Sequence, residues 1–243
     1  MSKEYVLVHG AAHGAWCWED VARRLEAKGH RVVTLDLPGH GRRAAEASRA
    51  SVAAYARAVA DVMAREGVSR GIVVGHSMSG LVIPKVAELV PARVAHLVFL
   101  AAVVVPDGGS LAGVHLPPAT RELVRGMAAG RGNGTFQYSA EAAWARWMSG
   151  LARDHPRTSA ALAALTPQPL RPFVERVDLR VFETLRVPRT YIRCLRDQAV
   201  PPHRASLYAA RLGVEPVDLD SDHDPMLSEP EELAHLLDRI PTD

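Results

Sequence analysis

The sequence IVVGHSMSGL at residues 72–81 has the pattern of a buried strand, a sharp turn and the start of a helix. This pattern matches the nucleophile elbow, G-x-S-x-G, in which a strained turn exposes a serine hydroxyl at the end of a strand. Ser77 stands at the turn, and one position departs from the motif because Ser79 replaces the second glycine. The stretch predicts a nucleophile at Ser77; the alternative is that Ser77 only caps the helix.

Short apolar runs and helical patterns alternate on both sides of this elbow. The runs are nearly continuous in Val, Ile and Leu, which is typical of strands buried on both faces of a parallel sheet. The alternation predicts an α/β fold with a mostly parallel, six-stranded, doubly wound sheet. The predicted strands are 5–8, 31–35, 71–75, 95–101, 190–195 and 215–219, and the predicted helices are 18–28, 52–66, 78–90, 204–211 and 231–239.

Residues 106–185 break the alternation, because this segment is rich in Pro and Gly and shows no strand–helix unit. A structureless loop of that length is uncommon in a compact domain. The segment also holds aromatic residues of the kind that are usually buried, so we predict a helical cap or lid inserted into a core of residues 1–105 and 186–243. The alternative is a poorly ordered linker.

Two tryptophans of this insertion, Trp144 and Trp147, are three residues apart and can share one face of a helix. Both are candidate substrate-binding residues. The equally weighted alternative is that they only pack the insertion onto the core.

A serine nucleophile needs a general base, and the base needs an acid that orients it. When this elbow carries a triad, the acid and then the histidine follow the serine along the chain. His223 follows the last predicted strand, on a loop where sheets of this class bind ligands. His203, at a helix start, and His235, within an amphipathic helix, fit a cap and a surface position better, so His223 is the predicted base.

The acid is expected after the penultimate strand, where Asp197 stands. The alternatives are Asp107, which follows the fourth strand, and Asp222, which adjoins His223 but would reach its ring only in an awkward geometry. An ordinary turn residue at position 197 is the remaining reading.

The loop after the first strand, HGAAHG at residues 9–14, is built largely of small residues. Such a loop can present backbone N–H groups to a developing oxyanion, together with the N–H of the residue after the nucleophile. We predict Ala11 and Met78 as these two donors, with Ala12 and His13 as candidates for contacts with the substrate. His9 and His13 are four residues apart, but no further ligand set accompanies them, so no metal is predicted.

Composition excludes several classes of function. The chain has 243 residues, 29 basic and 27 acidic, and 48% of its residues are hydrophobic. Because no segment carries a dense basic run, nucleic-acid binding is not expected. No apolar stretch approaches the ~20 residues that span a bilayer, and no signal peptide is evident at the N-terminus. We expect a cytoplasmic protein with no membrane partner, from a bacterium of high GC content, and leave a homodimer open.

Four segments carry a resemblance to a known family: VLVHGAAHGAWCW at 6–18, GHRV at 29–32, GHSM at 75–78 and SDHDPMLSEP at 221–230. They resemble the α/β-hydrolase superfamily, and within it the branch of plant methyl esterases, hydroxynitrile lyases and their bacterial relatives. The match fades in the insertion, where that family places a variable cap domain. The resemblance implies a six-stranded core, no cofactor, and a triad of Ser77, Asp197 and His223.

Two positions depart from the resembling hydroxynitrile lyases, which carry a threonine directly after the first-motif histidine and a lysine directly after the catalytic histidine. This chain has Gly10 and Asp224 there. A lysine would stabilise departing cyanide, whereas an aspartate would oppose it. The lyase reading is therefore disfavoured.

The sequence as a whole predicts a carboxylesterase-type serine hydrolase that cleaves a small apolar or aromatic ester through an acyl-enzyme. A lyase, acyl-transfer or cyclisation reaction on the same scaffold is one alternative. A ligand-binding, receptor-like protein with little turnover is another.

Overall fold

Six parallel strands form one sheet in the computed structural model, which describes residues 2–241. The strands are β1 (Glu4–Val8), β2 (Arg31–Thr34), β3 (Gly71–His76), β4 (Val94–Leu100), β7 (Arg189–Cys194) and β8 (Val217–Leu219). Their spatial order is β2-β1-β3-β4-β7-β8, and each pairing of neighbours in this sheet is parallel. The predicted fold class is confirmed.

The central strands are buried on both faces, as their continuous apolar sequences predict. Along β1, Tyr5 and Leu7 join one hydrophobic cluster, whereas Val6 and Val8 join another. Successive side chains of a strand point to opposite faces, so these clusters are the two layers of core on either side of the sheet.

Helices cover both faces. The core helices are α1 (Glu19–Ala27), α2 (Val52–Arg65), α3 (Val82–Leu89), α10 (Pro202–Leu212), α11 (Pro225–Ser228) and α12 (Pro230–Asp238). The contacts pair α1 with α12 and α2 with α3. Two predicted helices begin differently, because 3₁₀ turns at Ala15–Trp18 and Ser77–Gly80 precede α1 and α3.

The residues between β4 and β7 include six helices, and their segment 106–185 is called the insertion below. Its helices are α4 (Leu111–His115), α5 (Pro118–Arg131), α6 (Ala140–Trp147), α7 (Pro156–Ala164), α8 (Arg171–Val174) and α9 (Arg180–Thr184). Two short strands, β5 (Thr135–Phe136) and β6 (Gln168–Pro169), pair antiparallel, which the sequence did not predict. Across residues 2–241, no helix is both long enough and apolar enough to cross a membrane.

The order of the strands determines where a site can form. β1 lies between β2 and β3. The connection from β1 to β2 runs toward one edge of the sheet, and the connection from β2 to β3 crosses back over β1 toward the other edge. A crevice opens at such a reversal, beyond the carboxyl ends of the strands. The loops after β1 and β3 meet there, and they carry Ala11 and Ser77.

Candidate active site

Ser77 follows β3 directly and has a φ of 53°. A non-glycine residue in this left-handed region is strained, and such strain is concentrated at functional sites. The 3₁₀ turn at Ser77–Gly80 then leads into α3. The predicted strand–turn–helix context of the elbow is therefore present.

The small residues around Ser77 are required by close backbone approaches. A Cβ on Gly75 would lie 2.9 Å from the carbonyl oxygen of Ser79, and one on Gly80 would lie 2.3 Å from that of Val103. Ser79 itself is buried, and its Oγ donates a hydrogen bond to the carbonyl of His9 at 2.5 Å. The serine that replaces the second glycine of the motif thus ties the elbow to the loop after β1. The position that has no room for a side chain is the next one, Gly80.

Three predicted residues form one hydrogen-bonded line. His223 Nε2 lies 2.9 Å from Ser77 Oγ, and His223 Nδ1 lies 2.7 Å from Asp197 Oδ2. The other carboxylate oxygen of Asp197 accepts the backbone N–H groups of Ala199 and Val200 at 2.7 and 2.8 Å. Asp197 accepts a hydrogen bond from Nδ1–H, which keeps the proton of the neutral ring on Nδ1 and leaves Nε2 able to take the serine proton.

The ionisation of His223 depends on two opposing effects. Burial lowers its pKa, but the charge and hydrogen bond of Asp197 outweigh burial, so the pKa lies above the ordinary histidine value. The ring is thus a stronger base than an isolated histidine, which suits proton transfer from a serine hydroxyl.

The alternative acids and bases have other partners. Asp107 accepts the backbone N–H of Leu179 at 2.7 Å. Asp222 accepts Gly150 N–H and the Ser228 hydroxyl, both at 2.7 Å, and burial raises its pKa to about 6. His203 and His235 are exposed.

Ala11 and Met78, the predicted oxyanion donors, line the same cavity as Ser77. Ala11 comes from the loop after β1, and Met78 is the residue that follows the nucleophile in the elbow. Their backbone therefore borders the space in which a carbonyl attacked by Ser77 would develop charge.

Ala12 has a different position from the one expected of a substrate contact. It has a φ of 63°, its N–H donates to Gln168 Oε1 at 2.9 Å, and its carbonyl accepts Thr166 N–H at 2.8 Å. The backbone N–H and carbonyl of Ala12 are thus both held by the insertion, and Ala12 does not line the cavity of Ser77. Gln168 fixes the loop after β1, a contact that no sequence signal indicated.

His13 belongs to the same loop, is buried, and pairs with Asp224. Its Nε2 lies 3.0 Å from Asp224 Oδ2, and its Nδ1 lies 2.7 Å from the carbonyl of Ala11. Burial alone would lower the pKa of His13, but the charge and hydrogen bond of Asp224 outweigh burial, so the pKa of His13 is raised. Burial alone would raise the pKa of Asp224, but the interaction with His13 outweighs it, so the pKa of Asp224 is lowered. We expected the Asp224 carboxylate to repel an anion in the site, but it is buried in this pair and does not line the cavity.

The cavity next to Ser77 has a volume of about 40 Å³. It lies between the core loops and the insertion, and most of its lining is apolar or aromatic. The lining residues are Ala11, Ser77, Met78, Val103, Leu111, His115, Leu116, Tyr138, Arg146, Trp147, Phe173, Ala199 and Val200.

The two candidate tryptophans differ in position. Trp147 lines the cavity, and its backbone carbonyl accepts the N–H of Asp224 at 2.9 Å, which joins the end of α6 to the loop that carries His223. Trp144 instead donates its indole N–H to the carbonyl of Leu151 at 3.0 Å and does not line the cavity. Sequence reasoning missed Arg146, which lies between them in the chain, and His115.

A metal reading does not fit the histidines. Among residues 2–241, His76, His223 and Asp224 place one ligand atom each within 4.8 Å of one another. Both ring nitrogens of His223 are already hydrogen-bonded in the line described above. His9 and His13 likewise engage both of their ring nitrogens within the protein.

Comparisons with known proteins find relatives of this chain in both sequence and fold. The chain is 28% identical over 249 residues to a chloroplastic protein of Arabidopsis thaliana named as methylesterase 11, and this match covers 97% of this chain and 63% of that one. It is 29% identical over 257 residues to methylesterase 7 of the same plant, with 97% and 95% covered. An extracellular α/β-hydrolase from a Paenibacillus species, reported to share homology with tobacco salicylic acid binding protein 2, superposes with a TM-score of 0.90 at 26% identity, covering 99% and 100%.

The chain spans 63% and 46% of the lengths of two of the plant relatives that it matches. The matched proteins include a chloroplastic plant protein and an extracellular bacterial one, so a cytoplasmic location stays a prediction. A family model described as "Alpha/beta hydrolase family" matches residues 5–236. The chain belongs to the alpha/beta hydrolase family.

Proposed function

We propose that this protein is a serine carboxylesterase that cleaves small carboxylic esters through an acyl-enzyme. The observation that carries the proposal is the line of hydrogen bonds from Asp197 through His223 to Ser77, which ends at a largely apolar cavity. The esterase and methylesterase names of relatives that span most of this chain support the same chemistry.

The reaction has two steps on these residues. His223 Nε2 takes the proton of Ser77 as the oxygen attacks the ester carbonyl, and the protonated ring then gives that proton to the leaving alkoxide. The acyl group stays on Ser77. In the second step His223 takes a proton from water, and the hydroxide attacks the carbonyl of the acyl-enzyme. The protonated ring then gives that proton to Ser77 Oγ as the carboxylic acid leaves, which restores both residues.

Each tetrahedral intermediate carries a negative oxygen that needs hydrogen-bond donors. In this proposal, the donors are the backbone N–H groups of Ala11 and Met78. Donors that are fixed before the reaction cost no reorganisation when the charge appears, and losing one such donor typically lowers kcat by about 10²–10³. The Gln168 and Thr166 contacts to Ala12 hold this loop in place.

The substrate under this proposal has an apolar or aromatic part, because Tyr138, Trp147 and Phe173 border the cavity. The insertion acts as its lid. At about 40 Å³ the cavity is far smaller than the roughly 300 Å³ at which ligand sites begin, so the insertion must shift for an ester to enter.

Covalent labelling tests the proposal directly. A fluorophosphonate probe should label the wild-type protein, and Ser77→Ala should abolish both labelling and hydrolysis of a panel of p-nitrophenyl and methyl esters. Ser159→Ala, which changes an exposed serine of α7, is the matched control and should behave as wild type. Labelling that persists in Ser77→Ala would overturn the assignment.

A further inference from the structure

One charged side chain lines the cavity of Ser77 among mainly apolar neighbours. Arg146 lies in the last turn of α6, is partly buried, and borders the same space as Ser77 and Trp147. A guanidinium cannot lose its proton in a protein, so the charge is permanent. A permanent cation beside a water-poor cavity is costly unless an anion compensates it.

No such anion comes from the protein in residues 2–241, where Arg146 makes no hydrogen bond and no ion pair. Other arginines of the insertion behave differently: Arg153 pairs with Glu141, and Arg171 pairs with Glu175. Within the same described range, Arg121, Arg125 and Arg176 of the insertion also make no ion pair, but they do not line the cavity, so Arg146 is the unpaired arginine that borders Ser77.

The carboxylates around the site are already engaged. Asp197 accepts from His223, and Asp224 accepts from His13. Asp222 accepts the Ser228 hydroxyl and the Gly150 N–H.

The other titratable lining residues, His115 and Tyr138, add no compensating charge. Burial raises the pKa of Tyr138, so its hydroxyl is neutral at pH 7. Burial, together with the positive charges of Arg146 and Arg204, lowers the pKa of His115 to about 4. His115 is thus neutral at pH 7, with its Nδ1 3.0 Å from the hydroxyl of Tyr208.

We propose that Arg146 binds an anionic group of the substrate, so that the site favours esters carrying a second, carboxylate function. Half-esters of dicarboxylic acids and aryl esters with a ring carboxylate are of this class. The inference rests on the proposed esterase activity. A guanidinium matches a carboxylate with two parallel N–H···O bonds, and such charge-assisted bonds are about twice as strong as neutral ones.

Two matched pairs of esters test the inference. In the first pair, 4-acetoxybenzoate and 4-acetoxybenzamide, the leaving group carries either a carboxylate or a neutral amide. In the second pair, monomethyl terephthalate and methyl 4-carbamoylbenzoate, the acyl group carries either a carboxylate or a neutral amide. The measured quantity is the ratio of kcat/KM for the charged ester to that for its neutral partner. Arg146→Gln should lower this ratio about 10- to 100-fold in at least one pair.

Two further variants separate charge from packing. Arg146→Lys keeps the charge and should hold the ratio within about tenfold of wild type. Arg125→Gln removes an exposed cation from α5, outside the cavity lining, and should leave the ratio unchanged. Equal ratios in wild type and Arg146→Gln, for both pairs, would overturn the inference and would mean that the Arg146 guanidinium is solvated and does not contact the substrate.

Binding without turnover distinguishes this inference from the esterase proposal. In a Ser77→Ala background, calorimetry with terephthalamate should give a Kd at least tenfold lower than with terephthalamide, and adding Arg146→Gln should remove the difference. If no ester is hydrolysed with dependence on Ser77, the esterase proposal fails while this measurement still decides the role of Arg146. Equal affinities with and without Arg146 would refute anion binding.

Discussion

His13, in the loop after β1, and Asp224, 211 residues away in the chain, form a buried ion pair, with His13 Nε2 3.0 Å from Asp224 Oδ2. The other ring nitrogen faces the carbonyl of Ala11 at 2.7 Å. Neither a carbonyl nor an ionised carboxylate can donate, so both ring nitrogens must carry protons and the ring is an imidazolium. The pair therefore connects the residue after the catalytic histidine to a residue proposed as an oxyanion donor.

We expect His13→Gln to destabilise the protein by about 3–5 kcal/mol, because it leaves Asp224 as a buried carboxylate without its charged partner. The double variant His13→Gln/Asp224→Asn should lose less than the sum of the two single variants, because it leaves no unpaired charge. Urea unfolding of the four proteins gives the coupling energy. Strict additivity would show that the two residues do not act as a pair.

Asp197→Asn should keep the fold and lower kcat strongly, by about 10⁴ if this triad behaves as that of chymotrypsin-type proteases does. The acid limb of the pH–rate profile should also move to lower pH. Asp197 holds the pKa of His223 above its ordinary value, and activity rises with pH as that ring loses its proton. Asp107→Asn is the matched control; near-normal activity in Asp197→Asn with loss in Asp107→Asn would show that the acid is Asp107.

The free energy of unfolding should fall as the pH drops from 7 to 5. Burial holds the pKa of His40 at about 4 and that of His76 at about 3, below the ordinary 6.5. The unfolded chain therefore binds more protons below pH 6.5, and each such histidine costs up to about 1.4 kcal/mol per pH unit until the pH reaches its folded pKa. Urea unfolding at pH 7 and pH 5 measures the loss, and equal stabilities would contradict it.

Trp147→Phe should fold and change the preference among acyl chain lengths, because Trp147 borders the cavity. Trp144→Phe is the control: it loses the hydrogen bond to Leu151 and some stability, but its preference should stay that of wild type. The measurement is kcat/KM across a series of p-nitrophenyl esters. An unchanged preference in Trp147→Phe would leave this tryptophan a packing role only.

Mandelonitrile cleavage should stay at background while an activated aryl ester turns over with dependence on Ser77. Gly10 offers no hydroxyl for a cyanohydrin, and a Cβ there would lie 2.7 Å from His76 Nδ1. The lining residues within the described chain include no lysine, and Arg146 is their permanent cation. Cyanide release that requires Ser77 and Arg146, without ester turnover, would identify a lyase instead.

The sequence by itself determined the sheet and its elbow. Val, Ile and Leu runs report burial on both faces of a strand, because side chains alternate with a period fixed by local backbone geometry. The turn at Ser77 is equally local, since the strained residue and its small neighbours lie within six positions of one another. The shortest strand of the six-stranded sheet, β8, is predicted from residue 215 but begins at Val217.

Only the tertiary structure decided which side chains meet. Asp107, Asp197 and Asp222 are similar as sequence, and only the path of the chain brings Asp197 to the ring of His223. The insertion supplies Gln168 and Arg146, whose places depend on how its helices cross the core. The interpretation of Asp224 differs most between sequence and structure. The sequence suggested a carboxylate near the reacting anion, whereas the structure pairs it with His13 away from the cavity. Contacts over such separations are set by the packing of the whole chain, which no local pattern records.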